Sequence, residues 1–68
     1  MTRTDLLQGK MREKGFTIDS LAKKLGRSRT GLFNKIHNKA DFLVSEVQAI
    51  KKLLDLKDSE VQSIFFTQ

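Results

Sequence analysis

Residues 21–39 read LAKKLGRSRTGLFNKIHNK: two short basic helical segments broken once, at Gly26. Before the break, Leu21, Ala22 and Leu25 form one apolar stripe while Lys23 and Lys24 point away. After it, Leu32 and Ile36 stand four apart and face the same way, which leaves Arg29, Thr30, Phe33 and Asn34 on the other faces. Gly26 can take the left-handed conformation that a sharp turn needs. Ser28 is a self-sufficient N-cap for the second segment. The small Ala22 lets the two helices cross closely.

Outward from this pair, turn residues divide the chain into about five helical pieces. A first helix is expected from Thr4 or Asp5 to Lys14, with Thr4 as N-cap, Leu7 and Met11 on one face with Leu6 beside them, and Gly15 as its stop. The basic pair is predicted at Ile18 to Leu25, with Thr17 as N-cap, and from Ser28 to Ile36 or His37. Phe42 then packs back on the core. A fourth helix covers Val44 to Leu54, with Ser45 and Gln48 as a capping box and Val47, Ile50, Leu53 and Leu54 inward. A last one spans Asp58 to Ile64, with Val61 and Ile64 inward. The predicted fold class is all-α, one compact bundle over residues 1–68.

Sixty-eight residues make one domain with a small core, which lowers the expectation of an enzyme. Cysteine is absent, so neither disulfide nor thiolate chemistry is available. The single histidine, His37, has no cluster of ligands around it in sequence, and no metal or other cofactor is expected. Glycine-rich phosphate loops, nucleophile elbows and paired carboxylates are missing, so no catalytic residue is assigned. The longest apolar runs are three residues, 42–44 and 64–66, far short of the roughly twenty a membrane helix needs. The expectation is a soluble cytoplasmic protein with neither a membrane nor a small-molecule substrate as partner.

The net charge of +5 is unevenly placed. Ten of the 13 Lys and Arg residues lie in 1–39 against three acids, so that part carries +7 and the remainder −2. Such asymmetry points to an anionic partner for the front of the molecule.

Two helices around a glycine turn, about residues 18–37, form the helix-turn-helix pattern. The outward groups of the second helix suit base edges and phosphates in a DNA major groove. Arg29 and Asn34 are the expected base contacts. Thr30 is open between base, phosphate and no contact. Ser28, Lys35, Asn38 and Lys39 are expected at phosphates, and Lys23 and Lys24 more often form a plain solvated face. Phe33 meets either a thymine methyl or a protein surface.

The stretch FTIDSLAKKLGRSRTGLFNKIHNK resembles the DNA-binding domain of phage repressor and Cro-type regulators, the lambda-repressor-like helix-turn-helix family. The remainder, ADFLVSEVQAIKKLLDLKDSEVQSIFF, is similar to the tail of small regulators from phages of Gram-positive bacteria. The resemblance implies a five-helix domain with its third helix in the major groove, acting on paired half-sites as a homodimer on double-stranded DNA. It implies a transcriptional regulator in a lysis–lysogeny switch, in a bacterial host cell. The absence of a second domain makes the chain look like the Cro-type or modulator partner. By the same resemblance Thr17 is a phosphate contact. Arg27 stands where the family has isoleucine or valine, and is expected to lay its stem over the core and reach a phosphate. Lys35 replaces an apolar family residue, with Ile36 taking over its burial.

A second reading keeps the fold but not the ligand: an antirepressor or modulator that forms a hetero-complex with a phage repressor. Phe33 and the tail Ile64, Phe65 and Phe66 motivate it, the tail being either core or an exposed interface. Antitoxin and plasmid-control relatives of the fold are a third possibility.

Overall fold

The computed structural model describes residues 2–66. Its helices are α1 (Thr4–Glu13), α2 (Ile18–Leu25), α3 (Arg29–Ile36), α4 (Val44–Leu53) and α5 (Asp58–Phe65), with no strand among the described residues. None of the helices is long and apolar enough to cross a membrane.

The apolar stripes converge on one core. Leu7 and Met11 of α1, Leu21 and Ala22 of α2, Leu32 and Ile36 of α3 and Val47 and Ile50 of α4 are buried. Leu54 and Leu56, between α4 and α5, join Val61, Ile64 and Phe65 of α5 in the same cluster. Helix α2 packs on α3 and α4, and α5 on α1 and α4. Phe42 meets Phe65 edge-on, with ring centroids 5.3 Å apart. That contact anchors the segment between α3 and α4, as expected of Phe42.

Helices α1 to α4 stop by one device. A left-handed residue follows each: Gly15, Gly26, Asn38 and Asp55. In every case its own N–H donates to the carbonyl three back, and the next residue's N–H to the carbonyl five back. This double closure satisfies carbonyls that the helix end would otherwise orphan. At Gly26 (φ 69°, ψ 33°) the bonds are Gly26 N–H to Lys23 O, 3.2 Å, and Arg27 N–H to Ala22 O, 2.9 Å. A methyl group at Gly26 would touch nothing within 4 Å, so glycine is required there by backbone conformation alone.

Two expected caps are corrected. Thr4 is not the N-cap of α1: Arg3 holds that position, and the Thr4 hydroxyl instead donates to Ile36 O at 2.5 Å. An unsatisfied carbonyl at the end of α3 is the better acceptor. Nor do Ser45 and Gln48 cap α4. The helix begins at Val44, and Glu46 Oε1 accepts from Leu43 N–H at 2.8 Å. By contrast Thr17 caps α2 as expected, in a reciprocal pair with Ser20, and Ser28 Oγ accepts from Gly31 N–H.

Asp55 is a left-handed, non-glycine residue with its carboxylate at the negative end of α4. Asp55→Gly is expected to raise unfolding free energy by about 0.5–1 kcal/mol, and Gly26→Ala to lower it by about 1–2 kcal/mol, both read from urea midpoints at neutral pH.

Candidate nucleic-acid interface

Each residue of α3 turns about 100° from the last. With Leu32 and Ile36 locked in the core, Thr30 and Asn34 stand opposite them and Phe33 and His37 flank that ridge. Thr30 is exposed and Asn34 half-buried, and the Asn34 side chain makes no hydrogen bond to any described residue. Phe33 is half-buried rather than free: its ring lies against that of His37, one turn on, with centroids 4.2 Å apart and planes inclined at 44°. The outer surface of α3 thus offers a hydroxyl, an amide and an aromatic pair. The helix start adds Arg29, whose Nε is 3.0 Å from Asp19 Oδ1 of α2.

Residues 27–39 carry four cationic and no acidic side chains. Folding brings two carboxylates from elsewhere onto three of those cations. Asp19 takes Arg29. Glu46, only 4% exposed, takes both Arg27 and Lys35. Lys35 Nζ lies 2.7 Å from each Glu46 oxygen, and Arg27 Nε donates to Oε2 at 2.8 Å. With Leu43 N–H on Oε1, the carboxylate accepts four hydrogen bonds. Burial pushes its pKa up, but the bonds from Lys35, Leu43 N–H and Arg27 together outweigh that and hold it below the ordinary glutamate range.

The sequence reading gave Arg27 and Lys35 to phosphates; the structure brings both onto Glu46. The Lys35 side chain is 18% exposed and its ammonium faces inward to the carboxylate, so a phosphate there would compete with Glu46. Arg27 is 44% exposed; its Nε donates inward to Glu46 and its Nη1 to Gly26 O at 3.5 Å, with the rest of the guanidinium toward solvent. Asn38, another expected phosphate ligand, clasps the N-terminal strand of chain instead. Its Oδ1 accepts from Thr2 N–H at 2.8 Å and its Nδ2 donates to Thr2 O at 3.0 Å. Thr17 and Ser28 present their hydroxyls to helix-start N–H groups. Lys23, Lys24 and Lys39 are exposed and make no ion pair with any described acid. In the tail, Ile64 and Phe65 are core residues, and only Phe66 is exposed.

Sequence reasoning missed Glu46 and Asp19. Glu46 was findable: it lies four before Ile50, on the apolar stripe of its helix, where a charge signals a buried partner. Asp19 gave no signal beyond its place in a helix first turn, since its partner belongs to the next helix.

No protein-family model matches this sequence, and no curated protein or solved structure matches it significantly.

Glu46→Gln removes the charge that two cations share. The expected cost is about 2–3 kcal/mol, the buried-pair figure reduced because both cations keep some solvent. A carboxylate whose folded pKa is depressed stabilises fully above its unfolded value and loses that stabilisation as pH falls through the folded one. Asp5, Asp58 and Glu60 are depressed in the same direction by hydrogen bonds from Arg3, Lys51 and Lys10. Wild-type stability is therefore expected to fall steadily below about pH 4.5. The gap to Glu46→Gln closes over the same interval, as checked by urea titrations at pH 7 down to pH 2.5.

Proposed function

We propose that the protein is a sequence-specific DNA-binding regulator that uses α2, the Gly26 turn and α3 as a helix-turn-helix, with α3 entering the major groove. What supports this most is the division of labour on α3. Leu32 and Ile36 hold the helix to the core, while Arg29, Thr30, Phe33 and Asn34 have no core role and carry the groups that read base edges. Arg29 and Asn34 are the base readers, for guanine and adenine respectively. Phe33, steadied by His37, suits a thymine methyl. Lys39, the outer edge of Arg27 and the helix-start groups at Thr17 and Ser28 serve phosphates. Because Lys35 and Asn38 are tied inside the protein, their part is to fix the pose of α3. One domain of this size offers limited contact, so tight binding takes two copies on paired half-sites.

The second reading, a modulator that binds a repressor protein, is favoured by one observation. Leu43, Val44 and Phe66 are large, apolar and exposed. In that reading these side chains, with Phe33, meet the partner and no duplex is needed.

Mobility shifts against a random-sequence duplex pool, followed by sequencing of the bound fraction, separate the two. The expected outcome is enrichment of a defined site, with affinity falling steeply as salt rises, by about 0.9 log unit per log unit of salt for each phosphate neutralised. Arg29→Ala and Asn34→Ala are each expected to relax preference at one base pair by about 1–3 kcal/mol, with little change in melting temperature. Weak and equal binding to every duplex, unchanged by either substitution, would reject the DNA reading.

A further inference from the structure

Asp19 is an acid at the very edge of the surface assigned to a polyanion, where its charge alone is unfavourable for binding. It sits in the first turn of α2 and approaches the first residue of α3 across the Gly26 turn. The contact is specific in its atoms: Asp19 Oδ1 lies 3.0 Å from Arg29 Nε. Both side chains are largely exposed, 66% for Asp19 and 63% for Arg29, so the pair adds little to folding. An arginine reads guanine with its two terminal nitrogens, end-on to O6 and N7. Asp19 sits beside Nε and not at the terminal nitrogens, as an ion pair by distance without an aligned hydrogen bond. The terminal nitrogens of Arg29 hydrogen-bond no described residue.

We infer that Asp19 is a positioning residue for base recognition: its charge beside Nε draws Arg29 to the start of α3 and leaves the terminal nitrogens for a guanine in the major groove. The inference rests on the DNA reading given above and deepens it. A free arginine side chain has large rotamer entropy and finds phosphates as readily as bases. The charge of Asp19 beside Nε narrows that freedom before binding. The carboxylate also repels nearby phosphates, which disfavours the side chain's alternative use as a backbone contact. Asp19 therefore costs affinity for duplex in general and returns selectivity at one base pair. Asp19 and Glu46 act alike in offsetting cations of residues 27–39, but Glu46 does so inside the fold and Asp19 at the surface.

The test begins with the duplex enriched from the random pool by the wild-type chain. Affinities are then measured for that duplex, for versions with each base pair changed in turn, and for a scrambled duplex. The proteins are wild type, Asp19→Asn, Arg29→Ala and the double substitution. Loss of the Arg29→Ala effect at one G·C pair identifies the position Arg29 reads. Asp19→Asn is expected to tighten binding to scrambled duplex and, at the same time, to reduce discrimination at that G·C pair by about two- to fivefold, the scale of an exposed ion pair. In the Arg29→Ala background, Asp19→Asn should leave discrimination unchanged. A purely structural role would lower affinity for both duplexes together, with a lowered melting temperature, and would overturn the inference. Sequence-specific binding through Arg29 that is indifferent to Asp19→Asn would also overturn it while leaving the DNA reading intact. Failure to enrich any duplex would remove both.

Discussion

A carboxylate taken out of water must keep charged partners around it, and in this protein Glu46 has gathered three elements to do so. Arg27 comes from the turn after α2, Lys35 from the last turn of α3, and the Leu43 N–H from the start of its own helix. Apolar burial between these elements sets no bond direction, because the hydrophobic effect is non-directional. A carboxylate with two cations on it does, since its hydrogen bonds weaken steeply with distance and angle. The polar cluster therefore sets where α4 lies relative to the α2–α3 pair, while the core beneath supplies the bulk of the burial.

Other bonds also fix the C-terminal end of α3. Its final carbonyl, Ile36 O, takes the Thr4 hydroxyl, and left-handed Asn38 binds the Thr2 backbone through both its amide atoms. Arg3 N–H in turn reaches Ile64 O at 2.7 Å, tying the same N-terminal residues to α5. An eight-residue helix has little stability of its own. Held at its C-terminal end by the N-terminal segment and along its inner face by Leu32 and Ile36, α3 is fixed to the rest of the fold. A fixed helix is what recognition of a shaped surface requires, since positions loose by even an ångström lose selectivity.

The charge of the surface is smaller than its composition. Asp19 and Glu46 offset Arg29, Arg27 and Lys35, leaving Lys23, Lys24 and Lys39 as the exposed cations without an acidic partner near α2 and α3. A surface arranged in this way attracts a polyanion at long range through net charge.

Much was legible beforehand because it is local. Leucine and isoleucine at three- and four-residue spacing placed all five helices to within about two residues. Thr17, Ser28, Gly15 and Gly26 marked helix ends through bonds that span five residues at most. The outward set on α3 followed from the same periodicity once Leu32 and Ile36 were assigned to the core. What escaped depends on partners distant in sequence: Thr4 abandoning its own helix for Ile36 O, Asn38 turning to Thr2, and Arg27 and Lys35 turning to Glu46, 19 and 11 residues away. Hydrogen-bonding and charged side chains choose the best acceptor within reach, and reach is decided only when the helices have packed. Residue order and spacing thus determined where the helices run and which of their faces are apolar; the packed fold decided which cations answer an internal acid and which remain at the surface.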